Sequence, residues 1–268
     1  QYYTPSSLAA ELTRLVGDFV PDLATRTVIE PAGGTGAFIE AAKASGVQNV
    51  ISFDIEPLHT DVQSGDFLTA KLSERGAVAI SNPPFGRNNS LSIPFFNKAA
   101  EYADTIAFIV PRSWRKWSVI NRLDRNFELV HDQDIKLDYV DADGERISRK
   151  LRLATCFQIW QRRERLRPII KVRDNQLIAK TTPAEADVSL TVFGYGCGTV
   201  RTEFERRPNT TQLFLKLHHP DALNALKTAD FARFYRNTAY TEALSFQEIN
   251  YLLNEQIFGD PQLEEASE

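Results

Sequence analysis

The stretches "VIEPAGGTGAF", "SFDIEP", "SGDFL" and "AISNPPFGRNNS" hold the residues of this chain whose types and spacing suit chemistry on a bound ligand. In the first, Gly33, Gly34 and Gly36 stand between a strand-like run and a helix-like one, where missing side chains let backbone approach a ligand closely. A dinucleotide-binding fingerprint asks for a further glycine three residues after Gly36, and Ile39 occupies that place. Asp54 follows Gly36 by eighteen residues and falls at the carboxyl end of the next strand, where an acid can accept hydrogen bonds from both ribose hydroxyls of a nucleoside. Asp66 and Phe67 fall on a further loop of the same edge, suited to an adenine amino group and to an apolar contact with its ring. The last stretch ends an apolar run on Asn82-Pro83-Pro84-Phe85. Prolines fix φ and cannot donate to a sheet ladder, so a rigid, extended corner is demanded there. A strand-terminating turn would by itself explain the Pro-Pro pair.

Placing these residues on one edge takes alternating strands and helices, and the first 160 residues alternate. "SSLAAELTRLVGDFV" repeats Leu8, Leu12, Leu15, Val16 and Phe19 at helical spacing behind a serine cap. "TVIEP" reads as a strand, and "GAFIEAAKAS" as a helix stopped at Gly46. "NVISFDIEP", "AVAISNPPF" and "TIAFIVP" read as strands, "IPFFNKAAEYA" and "SWRKWSVINRLD" as helices. "FELVHDQDI" and "ATCFQIWQR" are strands with no helix between them. The pattern implies a parallel sheet covered on both faces and finished by an antiparallel strand. Beyond Arg167, "RPIIKVRD", "DVSLTVFGYGCGTVRTEF" and "TQLFLKLHH" read as short strands with Gly-rich turns, followed by helical sequence from Asp221 to Phe258. The expected division is a ligand-binding domain over 1–165, a small C-terminal recognition or accessory region over 166–258, and an acidic disordered tail over 259–268.

Composition, with 43% hydrophobic and 25% charged residues, is that of a soluble globular protein. No apolar run approaches the roughly 20 residues needed to span a bilayer. No signal peptide is recognisable, and Cys156 and Cys197 form neither a metal-ligand spacing nor a disulfide framework, so a cytoplasmic setting is expected. The chain opens on Gln1 and contains no Met, so its natural start is expected to lie elsewhere. The net charge of −4 resides in the tail "GDPQLEEASE", through Asp260, Glu264, Glu265 and Glu268, and leaves the rest neutral. Residues 145–167, "ERISRKLRLATCFQIWQRRERLR", hold eight Arg/Lys against two Glu, a local basicity that permits phosphate binding.

Taken together, "EPAGGTGAF", "DIEP", "GDF" and "NPPF" resemble the motifs of the S-adenosylmethionine-dependent N6-adenine and N4-cytosine DNA methyltransferases. "QYYTP" is similar to the segment preceding the cofactor loop in the group whose cofactor motif comes before NPPF, and the order here matches that group over about residues 1 to 160. The resemblance implies a Rossmann-like class I methyltransferase fold: a mostly parallel seven-stranded sheet with helices on both faces, here with a C-terminal α+β extension. It implies S-adenosyl-L-methionine as cofactor, with Tyr3, Thr4 and Pro5 at its methionine end. Glu30, Pro31, Ala32, Gly33, Gly34, Gly36 and Phe38 would form the cofactor loop. Asp54, Ile55, Asp66 and Phe67 would hold the nucleoside, with Asn82 adjoining. Catalysis would fall to Asn82, Pro83, Pro84 and Phe85. The exocyclic amine of adenine is a poor nucleophile because its lone pair is delocalised into the ring. The Asn82 side-chain oxygen and the Pro83 carbonyl, held rigid, would accept its hydrogens and bias the nitrogen toward a tetrahedral form. Phe85 would stack on the base, which must flip out of a duplex or arrive single-stranded. The "GRNNS" loop could fold over the site.

"PRSWRKWS" mixes Arg112, Arg115 and Lys116 with Trp114 and Trp117, a composition that suits a nucleic-acid groove, to which Arg87 would add. At helical spacing one Trp would instead belong to the core. His218 and His219 read as loop residues and no metal is expected; "FGYGCG" reads as a hairpin. The expected partner is nucleic acid, DNA first, with no membrane and with a restriction partner left open. RNA adenine, cytosine N4 and a protein glutamine amide pose similar chemistry, although the glutamine enzymes carry their extra domain before the cofactor domain. A non-catalytic binding subunit is the remaining alternative, against which the intact glycine loop, Asp54 and "NPPF" speak.

Overall fold

Runs of Val, Ile, Ala and Phe too short for helices become strands that are buried on both faces, and amphipathic helices cover them. The computed structural model describes residues 3–136, 138–141, 143–145, 153–202, 204 and 209–265. The chain divides into two units, Gln1–Arg112 with Ser118–Arg167, and Ser113–Trp117 with Pro168–Glu268.

In chain order the first part runs α1 (Ser6–Phe19), β1 (Thr27–Glu30), α2 (Ala37–Ala44), β2 (Asn49–Asp54), β3 (Gln63–Ser64) and β4 (Ala77–Ser81). It continues through α3 (Ser92–Ala99), β5 (Ala103–Pro111), the single turn α4 (Trp117–Ile120), β6 (Phe127–Ile135) and β7 (Thr155–Arg162). The strands form a seven-stranded sheet in the order β3-β2-β1-β4-β5-β7-β6. Only β7 is antiparallel, to β5 on one side and β6 on the other. Side chains alternate across this sheet. Val28, Ile80, Ala107, Ile109, Phe157 and Ile159 meet Leu12 and Val16 of α1 and Phe38 of α2. On the opposite face Phe96 of α3 packs edge-on against Phe108, Phe127 and Trp160. The strand order reverses between β1 and β4, which opens a crevice at their carboxyl ends. Glu30, Asp54 and Ser81 are the last residues of β1, β2 and β4.

Two local expectations change. Helix α1 starts behind Pro5 with no side-chain cap, so the serine cap is not made. "SWRKWSVINRLD" yields only a 3-10 turn over Arg112–Arg115 and the short α4. The Arg167 guanidinium, distant in sequence, binds the carbonyls of Ile120 and Leu123 at 2.8 and 3.1 Å and that of Phe127 at 3.1 Å, which takes up acceptors a longer helix would use.

The second part comprises β8 (Ile170–Val172), β9 (Ile178–Lys180), β10 (Val188–Phe193), β11 (Val200–Arg201) and β12 (Thr211–Leu217). Then come α5 (Ala222–Thr228), α6 (Ala232–Tyr235), α7 (Phe246–Phe258) and β13 (Leu263–Glu265). An antiparallel sheet, β11-β10-β12-β9, shares a core with α5 and α7 through Leu190, Leu215, Leu226, Ile249 and Leu253. "FGYGCG" joins the antiparallel pair β10 and β11, with Ser189 opposite Arg201. Ser245 and Glu248 form a capping box that starts α7. Within the acidic tail the exposed residues Leu263–Glu265 pair as β13 with β8, setting Glu264 opposite Lys171, and Arg173 lies 3.4 Å from Glu264. Asn254 braces this ribbon by donating to the carbonyls of Arg173 and Pro261. Backbone pairing and basic neighbours offset the charge repulsion that composition suggests. Among the described residues no helix is long and apolar enough to cross a membrane.

Within the second unit the Lys116 ammonium meets both carboxylate oxygens of Glu248, at 2.8 and 2.9 Å, and the Glu248 side chain is 2% exposed. Lys116→Met should strand that carboxylate without its counter-charge. The expected loss is about 3–5 kcal/mol, read by denaturant or thermal unfolding of the second unit. An unchanged unfolding midpoint would show that the pair contributes nothing.

Candidate functional site

Strand β1 delivers Glu30 into a cleft lined also by Tyr3, Thr4, the loop residues Ala32 to Thr35, Ala37, Phe38 and Asn82. The Glu30 side chain is almost wholly buried. Its Oε1 accepts the Ala32 N–H at 3.0 Å and the Ser81 hydroxyl. Ser81 ends β4, so this one carboxyl joins the two strands on either side of the switch point. Burial pushes the Glu30 pKa up to about 8, against the hydrogen bonds from Ser81 and Ala32, and Asp54 adds to the rise.

The glycine loop is bound into the protein through its own amides. The Gly33 N–H donates to the Phe53 carbonyl at 2.9 Å, and that of Gly36 to the Gly33 carbonyl at 2.7 Å. The Gly34 N–H donates to Asp54 Oδ2 at 2.9 Å. With the Ala32 N–H on Glu30, these amides are turned inward rather than presented as an anion cradle. The glycines answer to close protein contacts. A Cβ on Gly33 would stand 2.2 Å from Ser52 Oγ, and one on Gly36, at φ +82°, 2.4 Å from the His59 ring. His59 had no place in the sequence expectation. Only its distance after "DIEP" could have suggested that it reaches back over the loop.

Asp54 staples this arrangement, since its Oδ1 also accepts the Glu56 N–H at 2.9 Å. Ile55 beside it is 71% exposed, an apolar surface next to the acid. Asp66 is exposed and caps the short turn Phe67–Thr69 by accepting the Leu68 N–H at 2.9 Å. Phe67 is the exception: it is 1% exposed and lies between Phe53 and Phe95, at ring distances of 6.0 and 5.9 Å. That cap turns the ring inward, so it belongs to the core and does not offer an open face to a ligand. Pro31 and Phe38 are likewise buried, Phe38 packing with the sheet while bordering the cleft.

Asn82 follows Ser81 at the cleft, and its Nδ2 donates to Thr4 Oγ1 at 3.0 Å. Thr4 is held by the backbone of Tyr3, which exchanges hydrogen bonds with Val140 at 2.9 and 3.1 Å, and by Pro5 at the start of α1. The Tyr3 ring lies against Gly34, and burial raises its phenol pKa, with Asp54 and Glu56 adding to the effect. Pro83 is buried, Pro84 exposed, and Phe85 half-buried with one side on the sheet core. The following loop curls back through Gly86, Asn88 and Asn89, at φ +67°, +54° and +61°, and the Leu91 N–H donates to the Phe85 carbonyl at 3.2 Å.

In "PRSWRKWS" several of the residues expected to face nucleic acid are engaged within the protein. Trp114 is fully buried, Lys116 is engaged by Glu248, and Arg112 meets Asp134 at 2.7 Å. Arg115 is half-buried, and of the residues expected to touch nucleic acid Arg87 alone is exposed. Carboxylates remote in sequence take up two of these charges, Arg112 and Lys116. In the basic stretch, Arg146 to Arg152 lie outside the described residues. Arg162 bonds the Ala103 carbonyl and lies over the Phe127 ring at 4.7 Å, and Arg163 meets Glu128 at 2.9 Å. Glu40, His59 and Asp61 converge closely enough to suggest a metal, but the Lys43 ammonium already bonds both Glu40 and Asp61.

No family model matches the chain, and no curated protein matches it. Solved structures do. A provisionally assigned RNA methyltransferase from Pyrococcus horikoshii is 23% identical, with a TM-score of 0.48 over 61% of this chain and 87% of that one. TrmN from Thermus thermophilus is 15% identical, with a TM-score of 0.43 over 59% of this chain and 48% of that one. The modification subunit of a provisionally assigned type I restriction enzyme from Vibrio vulnificus is 15% identical, with a TM-score of 0.42 over 60% and 44%. The expected fold class, a Rossmann-like, mostly parallel seven-stranded sheet with helices on both faces, is carried by the strand order itself.

Because the Glu30 carboxyl is near 4.5 when unfolded and near 8 when folded, the folded state keeps a proton that the unfolded state gives up between those values. Its contribution to stability is therefore whole at low pH and is lost as pH rises toward 8. Glu30→Gln should be more stable than the parent at high pH, by a margin that shrinks as pH falls toward 4.5. Denaturation at a series of pH values checks this, and a margin independent of pH would overturn the assignment of a protonated Glu30.

Proposed function

We propose that the protein is an S-adenosyl-L-methionine-dependent methyltransferase acting on a planar amine nitrogen, with the N6 amine of adenine in DNA as substrate. The observation that carries this reading is the placement of Asn82 one residue beyond the Ser81–Glu30 bond, where the rigid proline corner and the glycine-loop cleft adjoin.

The residues present fit this cofactor, which combines a nucleoside with cationic groups and has no phosphate. Loop amides bonded inward suit a ligand that brings no phosphate. Asp54 spends one backbone hydrogen bond on each carboxylate oxygen and keeps acceptor capacity for ribose hydroxyls. Glu30, buried and easily protonated, gains by ionising against a cation. Ile55 offers an apolar contact for a base. When bound, S-adenosyl-L-methionine supplies an electrophilic methyl group.

The chain's own part in the reaction is to hold the acceptor amine. Asn82 Oδ1 and the Pro83 carbonyl accept its two hydrogens and draw the nitrogen out of conjugation. Their fixed positions mean that no reorganisation is needed as charge develops. Pro83 and Pro84 restrict the corner without further entropy cost. Phe85 presents its remaining exposed side for stacking. The order "QYYTP", glycine loop, "NPPF" is what favours DNA adenine. One observation favours a protein glutamine amide as the second reading: of the residues that would have served nucleic acid, Trp114 is fully buried and Lys116 is paired with Glu248.

Incubation with labelled S-adenosyl-L-methionine and duplex DNA, single-stranded DNA, RNA or protein tests the proposal. Label is expected in N6-methyladenine of DNA. Label on glutamine supports the second reading, and no transfer to any acceptor overturns both. Asn82→Ala should lower turnover on the order of a hundredfold while calorimetric cofactor affinity is kept. A folded, cofactor-bound Asn82→Ala protein that methylates at the parent rate would refute the catalytic role. Asp54→Ala should weaken cofactor binding, because it removes both the hydroxyl acceptors and the staple on Gly34. Undiminished affinity would remove Asp54 from the site.

A further inference from the structure

A primary amide is useful to an amine substrate from one end only. Its oxygen accepts the amine hydrogens, whereas its NH2 end would repel them. The two ends have nearly the same shape, so the partners of the amide decide which way it faces. For Asn82 the partner is Thr4, whose Oγ1 lies 3.0 Å from Nδ2. Thr4 is well placed to hold that end of the amide. It is 7% exposed and borders the same cleft. Its neighbour Tyr3 is fixed by the paired hydrogen bonds to Val140, and α1 begins two residues later.

We propose that Thr4 is a positioning residue: its hydroxyl holds the NH2 end of Asn82, so that the Asn82 carbonyl oxygen is the end presented to the acceptor amine. The inference rests on the methyl-transfer reading above and adds to it a link between the N-terminal strap and the catalytic corner. A hydroxyl can accept as well as donate, and in the arrangement seen here Thr4 Oγ1 accepts from Asn82 Nδ2, which leaves the Asn82 oxygen for the acceptor amine.

The test compares Thr4→Val, which keeps the shape and removes the hydroxyl, with Thr4→Ser, which keeps the hydroxyl. Single-turnover methylation is measured with cofactor and acceptor saturating, so that any change in cofactor affinity does not enter the rate. Thermal unfolding is followed in parallel. Thr4→Val should slow transfer by about tenfold, the scale of one lost neutral hydrogen bond, and Thr4→Ser should restore the parent rate. In an Asn82→Ala background Thr4→Val should cost nothing more, because the group it positions is gone. A parent rate in folded Thr4→Val, or an equal further loss in the Asn82→Ala background, overturns the proposal. The side-chain amide of Asn82, followed by nitrogen-15 NMR, gives a readout that does not depend on activity. Slow exchange of its NH2 hydrogens should be present in the parent and in Thr4→Ser and absent in Thr4→Val. If the parent transfers no methyl group to any acceptor, the functional reading fails, and the NMR comparison still decides whether Thr4 holds the amide. Identical exchange in parent and Thr4→Val overturns that.

Discussion

The Glu30 carboxyl is where the site's architecture is made. Its bonds to the Ala32 N–H and the Ser81 hydroxyl join the loop leaving β1 to the end of β4. These two strands flank the crevice created by the reversal of strand order. Burying an acid there is costly as long as it is ionised, and holding a proton up to about pH 8 avoids that cost. The same property suits the group to a cation, whose charge would replace the proton. On the proposed function, one side chain would serve both as a stabilising device of the fold and as a binding device for the cofactor.

The remaining parts of the site are tied together by bonds in which backbone groups take most of the places. Asp54 clasps Gly34, Phe53 takes the Gly33 amide, and Gly36 closes on Gly33. The Tyr3–Val140 exchange brings Thr4 to Asn82. A loop braced in this way is shaped before a ligand arrives, and little ordering entropy is left to be lost on binding. It also has few amides to spare for phosphate, which separates this glycine turn from the nucleotide cradles that it resembles in composition.

The second unit follows a different logic, with a small antiparallel sheet, two packed helices and a buried Lys116–Glu248 pair. Glu248 both caps α7 and receives the ammonium of a residue from the loop after β5, so one carboxylate fixes a helix end and a distant segment together. The ribbon of β8 and β13 closes the described chain through Asn254, which reads two carbonyls at once.

What the sequence determined by itself is what depends on neighbours along the chain. Helical and strand periods, with the glycine and proline punctuation between them, were enough to foresee a parallel sheet and the loops at its carboxyl edge. They put Glu30, the glycines, Asp54 and Asn82 on that edge, because every β-to-α loop of a parallel sheet leaves from the same side. The tertiary structure decided every question whose answer lies far away in the chain. Phe67 is core because Phe53 and Phe95 enclose it. Arg112 and Lys116 are neutralised by Asp134 and Glu248, more than twenty and more than a hundred residues on. Leu263–Glu265 of the acidic tail form a strand because β8 offers them a backbone edge and basic side chains. The Ser81–Glu30 and Thr4–Asn82 bonds span 51 and 78 residues. Local pattern cannot report such partners, because hydrogen bonds and ion pairs are set by distance in space, and only the packed sheet brings those residues together.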